Sequence, residues 1–312
     1  MTDVLVAGHI CLDIHVTPES DAPIEPGALL ASRAAELSAG GAVANTGLAL
    51  EHLGVDVQLV ARVGDDLFGH ATAQLVGREL IVGPGAGSYS IVVNRPGADR
   101  SFLHFTGAND AFAADDVTDA DLSRARIFHF GYPPLMRRMR TELADLFARA
   151  KEAGCMTSLD LAQPIEEFEW ESMLREALPY VDVFLPSLGE LQVMLGGGTP
   201  QELAQHALDL GATIAGVKLG VDGLYVRTAD EEVHSPCFVA SRVAGTTGSG
   251  DATIAGFLAA LLRGDDLEAA ATAANAVGAC SVERSSGSDG IPAWPEIEAR
   301  IAAGWPRRTS AV

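Results

Sequence analysis

Basic residues are scarce in this sequence: 21 lysines and arginines stand against 42 aspartates and glutamates, which gives a formal net charge of -21. A protein that binds nucleic acid needs a basic face to contact phosphates. The arginine groups within 137–140 and 307–308 are too short to form one. The composition therefore argues against a nucleic-acid partner, and an anionic substrate would need local donors and a metal ion to offset the acidic chain.

Cysteine motifs and targeting segments are also missing. The four cysteines show no CxxC or metal-like spacing, so we expect reduced, buried thiols. The N-terminus leads straight into an apolar strand pattern, with neither the basic start of a signal peptide nor an apolar run long enough to cross a membrane. These absences predict a cytoplasmic protein that has no membrane partner.

Short apolar runs and helix patterns alternate along the chain, for example as a strand over 57–63 and a helix over 135–153. Near-continuous apolar strands between helices are typical of a mostly parallel sheet that is covered by helices on both faces. No repeat and no linker interrupts the alternation. The sequence therefore predicts one α/β domain over residues 1–312.

Three segments depart from the alternation. Residues 88–105 alternate around a Pro-Gly turn and predict a β-hairpin that acts as a lid. Residues 14–34 include a proline-rich, acidic stretch that suits an exposed excursion, and we expect them to contribute to the lid. The C-terminal residues 306–312 are predicted to be disordered.

A glycine-rich turn at 245–251 runs directly into an apolar helix pattern that stops at Gly264. The first N–H groups of a helix lack intrahelical partners and, with the helix dipole, form an anion site. Asp251 begins that helix. It is either a helix cap, or a general base beside a cradle for an oxyanion or phosphoryl group.

Other polar residues follow strands or open helices. Asp13 follows the first strand, a glycine pair at 40–41 opens a helix with Asn45 in its first turns, and residues 187–190 open another helix. Parallel sheets bind ligands beyond the carboxyl ends of their strands. We therefore expect these residues to converge on one rim.

Four segments, in family order and spacing, resemble the ribokinase-like (PfkB) carbohydrate kinase family over nearly the whole chain. They are the Gly8/Asp13 pair, the Gly40–Gly69 signature, the Lys218–Gly223 loop and the glycine turn with Asp251. The resemblance implies a ribokinase-like three-layer α/β/α fold with a mostly parallel central sheet and a small β lid. It also implies an ATP-dependent phosphotransferase, and we expect it to act on a primary hydroxyl of a small sugar, sugar acid or nucleoside.

The resemblance assigns roles residue by residue. Asp251 is the expected general base, and the N–H groups of Gly248, Ser249 and Gly250 complete the anion hole. Acceptor binding is expected from Asp13, Gly40, Gly41, Asn45 and Arg100. Nucleotide binding is expected from Ser187, Lys218, Gly220, Gly223, Thr246 and Asn275. Glu190 is expected to hold Mg²⁺, and the lid, with its exposed edges, predicts a homodimer.

Departures from the family pattern keep alternatives open. Gly245 replaces an Asp of the signature, so the sequence does not decide whether the protein has a K⁺ site. Ser187 replaces an Asn. These two changes motivate a second hypothesis, a non-catalytic sugar or nucleoside sensor on the same fold.

Other interpretations are less well supported. A dinucleotide-dependent oxidoreductase would carry a GxGxxG motif after the first strand, and this sequence lacks it there. The lid holds few Lys or Arg residues to grip a second phosphate, which argues against a sugar-phosphate acceptor. His9 and His104 fall near the expected sugar and are interpreted as packing or lid residues.

Overall fold

The computed structural model describes residues 1–20, 23, 25–94, 100–284 and 287–309. The strands formed by these residues are β1 (Thr2–Gly8), β2 (Cys11–Val16), β3 (Glu36–Gly40), β4 (Val57–Val60), β5 (Arg62–Gly64), β6 (Ile81–Gly83), β7 (Tyr89–Val93), β8 (Ser101–Phe105), β9 (Ala125–Gly131), β10 (Met156–Asp160), β11 (Val183–Phe184), β12 (Ile214–Lys218), β13 (Leu224–Arg227) and β14 (Glu232–Ser235). The helices are α1 (Gly41–His52), α2 (Leu67–Val76), α3 (Asp119–Leu122), α4 (Met139–Glu152), α5 (Trp170–Ala177), α6 (Leu188–Met194), α7 (Pro200–Asp209), α8 (Ser249–Arg263), α9 (Leu267–Ser281) and α10 (Trp294–Ala302).

The central sheet has eight strands in the order β14-β13-β12-β11-β10-β9-β1-β4. Neighbouring strands are parallel from β4 to β12, and β13 pairs antiparallel with both β12 and β14. The carboxyl ends of β1, β9, β10 and β12 therefore lie along one edge. This arrangement confirms the predicted mostly parallel sheet.

Residues of β1 alternate between two hydrophobic cores. Val4 and Val6 pack with residues of α1, α8 and α9, whereas Leu5 and Ala7 pack with residues of α4, α5 and α7. All four side chains are completely buried, as expected for a strand covered on both faces. The fold is thus the predicted three-layer α/β/α arrangement. Across the described residues, no helix is both long and apolar enough to cross a membrane.

A second, four-stranded sheet in the order β3-β2-β7-β8 forms the lid. The predicted hairpin is present as β7 and β8, which pair antiparallel from Tyr89↔Phe105 to Val93↔Ser101. Its turn, 95–99, lies outside the described residues. Strands β2 and β3 were not predicted; β2 includes the start of the predicted segment 14–34, and β3 follows its end. Of that segment, residues 21, 22 and 24 lie outside the description, and Pro18 bridges to Ser32.

Two predicted elements have different boundaries. The strand expected over 57–63 is two strands: β4 belongs to the central sheet, while β5 pairs with β6 in a separate sheet. The helix expected over 135–153 begins at Met139, because Pro133 and Pro134 form a short 3₁₀ turn before it.

The prediction that 306–312 is disordered is wrong for its first part. The Pro306 carbonyl accepts from the Val239 N–H at 2.8 Å, and the Arg308 N–H donates to the Cys237 carbonyl at 2.9 Å. The guanidinium of Arg307 lies 4.5 Å from the centre of the Phe238 ring. Backbone pairing and a cation–π contact hold this segment, and residues 310–312 lie outside the description.

Candidate functional site

The glycine turn leads into α8 as the sequence predicts. Gly248 caps the helix in the left-handed conformation, with φ of 75°, and Ser249 is the first helical residue. A Cβ at Gly248 would lie 3.1 Å from Cγ of Asn45, so the turn also packs closely against α1. The amide groups at this helix start are the expected anion-binding donors.

Asp251 lies in the first turn of α8 and is 1% exposed. Its carboxylate accepts from Nδ2 of Asn45 at 3.0 Å and from the hydroxyl of Tyr132 at 2.9 and 2.8 Å, and Oγ1 of Thr46 lies at 3.5 Å. Burial raises the pKa of Asp251, while the positive charge of Lys218 and the bonds from Tyr132 and Asn45 act to lower it. A buried carboxylate held by three side chains is more than a solvated helix cap.

A cavity of about 280 Å³ lies on one side of the glycine turn. The described residues that line it are Asp13, His15, Glu36, Leu37, Ser38, Ala39, Asn45, Leu48, Leu75, Thr247, Gly287, Ser288 and Asp289. Its lining therefore includes Asp13 and Asn45, two of the residues predicted to bind the acceptor. We call it the acceptor cavity.

The glycine pair at 40–41 makes room for polar side chains at this cavity. A Cβ at Gly40 would lie 2.1 Å from Oδ2 of Asp13, and one at Gly41, whose φ is 84°, would lie 2.6 Å from Nδ1 of His9. Only glycine fits either position. Burial raises the pKa of Asp13 to about 6, with the charge of Asp251 adding to the effect.

Arg100 connects the lid to the glycine turn. Its guanidinium donates hydrogen bonds to Oγ1 of Thr246 and Oγ1 of Thr247. The residue directly precedes β8, so a lid strand and the anion-binding turn are tied together across 146 residues of sequence.

A second cavity, of about 270 Å³, lies on the other side of the turn. It brings together five of the residues predicted to bind the nucleotide: Lys218, Gly220, Gly223, Thr246 and Asn275. Ser249 and Gly250 also line it. We call it the nucleotide cavity. Nδ2 of Asn275 is already used, since it donates to the Ser235 carbonyl at 2.7 Å.

Lys218 ends β12 and forms a buried ion pair with Asp160, the last residue of β10, at 2.8 and 2.9 Å. Their side chains are 10% and 1% exposed. Burial lowers the pKa of Lys218, but the charges of Asp160 and Glu190 outweigh it and raise the pKa overall. A Cβ at Gly250 would lie 3.3 Å from the Lys218 ammonium, so this charge sits directly against the anion-binding turn.

Ser187 pairs with Lys218 in an isolated parallel β-bridge, and Glu190 follows three residues later. Ser187 caps α6, and Oε2 of Glu190 accepts from the Ser187 N–H at 2.7 Å in a capping box. Neither is among the described residues that line the nucleotide cavity. Glu190 is nevertheless close enough for its charge to raise the pKa values of Lys218 and Asp251.

Sequence reasoning missed Tyr132, Thr46 and the role of Asp160. Tyr132 directly follows β9 and has a left-handed backbone, with φ of 68°, the single positive φ of a non-glycine residue in the described chain. Tyr132 and Asp160 both occupy carboxyl ends of strands, where ligands bind in parallel sheets. That position was the signal that could have identified them.

Comparisons with known proteins agree with this geometry. The model of the pfkB family of carbohydrate kinases matches residues 1–294. The chain is 30% identical over 310 residues to an ATP-dependent ribose-1-phosphate kinase of Halopiger xanaduensis, covering 97% of this chain and 98% of that protein.

Solved structures share the fold. A ribokinase of Thermotoga maritima is 22% identical with a TM-score of 0.81, over 97% of this chain and 100% of that one. A ribokinase of Arabidopsis thaliana, crystallised with ribose and ATP, is 23% identical with a TM-score of 0.79, over 96% and 98%. The family match spans nearly the whole chain, and the protein accordingly belongs to the pfkB family of carbohydrate kinases.

Proposed function

We propose that this kinase transfers the γ-phosphoryl group of ATP to a hydroxyl, primary by preference, of a small neutral sugar, sugar acid or nucleoside. One observation carries the proposal: the glycine turn separates two cavities, with Thr247 lining one and Thr246, Ser249 and Gly250 lining the other. Asp251 itself lines neither cavity, but it accepts a hydrogen bond from Asn45 of the acceptor cavity and directly follows Gly250 of the nucleotide cavity.

Asp251 is the proposed general base. It takes the proton of the acceptor hydroxyl as the new O–P bond forms and the bond between the γ-phosphorus and the leaving ADP oxygen breaks. Burial raises its pKa, which strengthens it as a base. Asn45 and Tyr132 hold the carboxylate in place through their hydrogen bonds.

The amide groups from Gly248 to Asp251 and the ammonium of Lys218 are the proposed stabilisers of charge on the transferred group. Preorganised donors at a buried site supply much of the catalysis in phosphoryl transfer. ATP supplies the phosphoryl group, and its Mg²⁺ offsets the negative charge of the phosphates.

The residues near Lys218 fit such an ion. Oε1 of Glu190 accepts no hydrogen bond from any described residue, although Oε2 is engaged by Ser187. Mg²⁺ retains several waters when it binds to proteins, so we propose that Glu190 holds it through water. Gly245 stands where the family signature has an Asp, so activation by K⁺ is one of the quantities that the assay below measures.

The acceptor cavity favours a substrate without a phosphate. Asp13, Glu36 and Asp289 line it, and no Lys or Arg appears among its described lining residues. The doubly charged phosphate of a sugar-phosphate acceptor would meet this acidic wall, with Arg100 at Thr247 as the nearby positive charge. The Halopiger relative is named for a sugar phosphate, and a sugar phosphate is therefore the most informative competitor.

The test is ADP release by purified protein with Mg-ATP, with and without K⁺. The panel contains ribose, deoxyribose, a deoxy sugar acid, adenosine and ribose 1-phosphate. We expect at least one neutral acceptor to be phosphorylated with higher kcat/KM than ribose 1-phosphate. Binding of an acceptor without ADP release from any compound would instead support the sensor hypothesis.

The lid also carries the proposed homodimer contact. Leu37 of β3 and Phe102, Leu103 and Phe105 of β8 are between 44% and 64% exposed. Apolar groups on an exposed sheet edge are typical of association sites. A dimer mass in light scattering, converted to a monomer by Leu103→Asp, would support this proposal. A monomer in the unmodified protein would contradict it.

A further inference from the structure

Three residues with metal-binding side chains meet between the lid and the central domain. His9 follows β1 of the central sheet, whereas Cys11 and His104 lie on the lid strands β2 and β8. One nitrogen of each imidazole and the Cys11 sulfur all lie within 4.8 Å of one another. His9 and Cys11 are 2% and 3% exposed, and His104 is partly buried. The proposed phosphoryl transfer uses none of the three.

The spacing of the two imidazoles fits a shared ion. Nε2 of His9 and Nε2 of His104 lie 3.2 Å apart. Two nitrogens on a tetrahedral zinc ion, each about 2.05 Å from the metal, lie about 3.3 Å apart. A zinc-bound thiolate would lie about 3.6 Å from each nitrogen, and in the structure the Cys11 sulfur lies within 4.8 Å of both.

The surroundings support the same arrangement. Nδ1 of His104 lies 2.8 Å from Oγ of Ser90, the outer-shell contact that orients a ligating histidine. Burial lowers the pKa values of His9 and His104, which keeps both imidazoles neutral and their lone pairs available. Burial raises the pKa of the Cys11 thiol, so a thiolate here needs a cation beside it.

We propose that His9, Cys11 and His104 bind one thiophilic divalent cation of the Zn²⁺ class and so clasp the lid to the central domain. Binding breaks the Sγ–H bond of Cys11, sends its proton to solvent and forms a metal–sulfur bond, with no change in oxidation state. His, His and Cys are ligands that select zinc over magnesium. The fourth position is left for water.

Metal binding by these three residues would affect the acceptor cavity. Cys11 Sγ donates to Oδ1 of Asp13 at 3.3 Å, and metal binding removes that donor. An ion two residues from Asp13 and held by the lid would keep the acceptor cavity closed. This consequence rests on the proposed function, whereas metal binding itself does not.

Co²⁺ titration of the whole protein tests the site, because a thiolate–Co²⁺ bond gives a near-ultraviolet charge-transfer band. We expect one equivalent to produce the band and Zn²⁺ to abolish it. Cys11→Ser should lose the band, while Cys155→Ser, a buried thiol that donates to the Leu122 carbonyl, should keep it. No band in the unmodified protein, or an equal band in Cys11→Ser, would overturn the proposal.

Two further variants address His104. Ser90→Ala should weaken Co²⁺ affinity by roughly 10–100-fold, the usual cost of losing an outer-shell partner, and His104→Gln should weaken it further. Hydrogen exchange gives a readout independent of activity: Zn²⁺ should protect the amides of β8 in the unmodified protein and not in His104→Gln. Unchanged affinity in both variants, or unchanged β8 exchange on adding Zn²⁺, would contradict the clasp.

Discussion

The hydroxyl of Tyr132 contacts both carboxylate oxygens of Asp251, at 2.9 and 2.8 Å. Tyr132 is held there by a left-handed backbone at the end of β9, directly before two prolines. A non-glycine residue in this region costs roughly 1–2 kcal/mol. This backbone strain at Tyr132, beside a carboxylate that also accepts from Asn45, motivates a test of whether the tyrosine tunes the proposed base.

Tyr132→Phe tests this contact through the pH profile. The hydroxyl donor stabilises ionised Asp251 and lowers its pKa, so its loss should raise that pKa. The base is active when ionised, and the acidic limb of kcat should therefore move to higher pH. A hydrogen bond to a charged group contributes about 1.5–3 kcal/mol, which corresponds to a shift of roughly one to two pH units.

Tyr225→Phe is the matched control. The Tyr225 hydroxyl donates to Glu232 at 2.6 Å, also in a partly buried pair. This variant should leave the acidic limb where it is. Superimposable profiles of Tyr132→Phe and the unmodified enzyme would show that the tyrosine does not tune the base.

Asp251→Asn should fold and bind ligands nearly normally, because the amide keeps the shape of the carboxylate. The loss of a general base lowers rates by typically 10²–10⁴-fold. We expect kcat to fall by about two orders of magnitude or more, measured as ADP release under saturating substrates, with little change in acceptor affinity measured by calorimetry. Turnover close to normal would exclude the assigned role.

Some parts of this site follow from local sequence. The glycine turn, its helix and the β7–β8 hairpin could be predicted because neighbouring residues specify their backbone. Asp13 and Asn45 could be placed near them, since both follow recognisable strand or helix starts. Their joint lining of the acceptor cavity agrees with that prediction.

Other parts depend on contacts that no local pattern encodes. Tyr132 and Asp251 are 119 residues apart, and Lys218 and Asp160 are 58 apart. A tyrosine that follows a strand is usually interpreted as a packing residue. Only the folded structure shows that β9 and β10 end beside α8. The ordered residues at 306–308 were missed for the same reason, because their partner Phe238 lies far away in sequence.

Gly248 and Gly264 provide a matched pair at the two ends of α8. Both are left-handed, with φ of 75° and 86°. An alanine at either position should destabilise the protein by roughly 1–2 kcal/mol. A Cβ at Gly248 meets Asn45 at 3.1 Å, whereas one at Gly264 meets nothing within 4 Å. Urea unfolding should therefore show a loss of stability in both variants, at least as large in Gly248→Ala, while kcat should fall at least about tenfold only in Gly248→Ala. Equal loss of kcat in both variants would contradict the specific role of the turn.

Asp13 should contribute a pH-dependent cost to stability. Burial raises its pKa from 3.8 to about 6 in the folded protein, so the native state binds the proton more tightly than the unfolded state. Stability is then lost as pH rises through this window, by about 3 kcal/mol for a shift of about two units. Asp13→Asn removes the cost.

Chemical denaturation at pH 4.5 and 7.5 measures the loss of stability caused by Asp13. The free energy of unfolding of Asp13→Asn, relative to the unmodified protein, should increase between the two pH values, while its KM for the acceptor rises. Asp145→Asn, on the exposed face of α4, is the control for the loss of a surface carboxylate. A constant difference for Asp13→Asn at both pH values would rule out this linkage.

Variants of the buried ion pair between Lys218 and Asp160 can distinguish an effect on stability from an effect on catalysis. Removing one partner of a buried ion pair leaves an uncompensated charge and typically costs 3–5 kcal/mol, whereas replacing both is often nearly neutral. Lys218→Met should therefore lose both stability and activity. The double variant Lys218→Met/Asp160→Leu should regain most of the stability in thermal unfolding but none of the activity, because Lys218 also lies against Gly250 of the anion-binding turn. Recovery of kcat together with stability would mean that Lys218 is structural and does not act on the phosphoryl group.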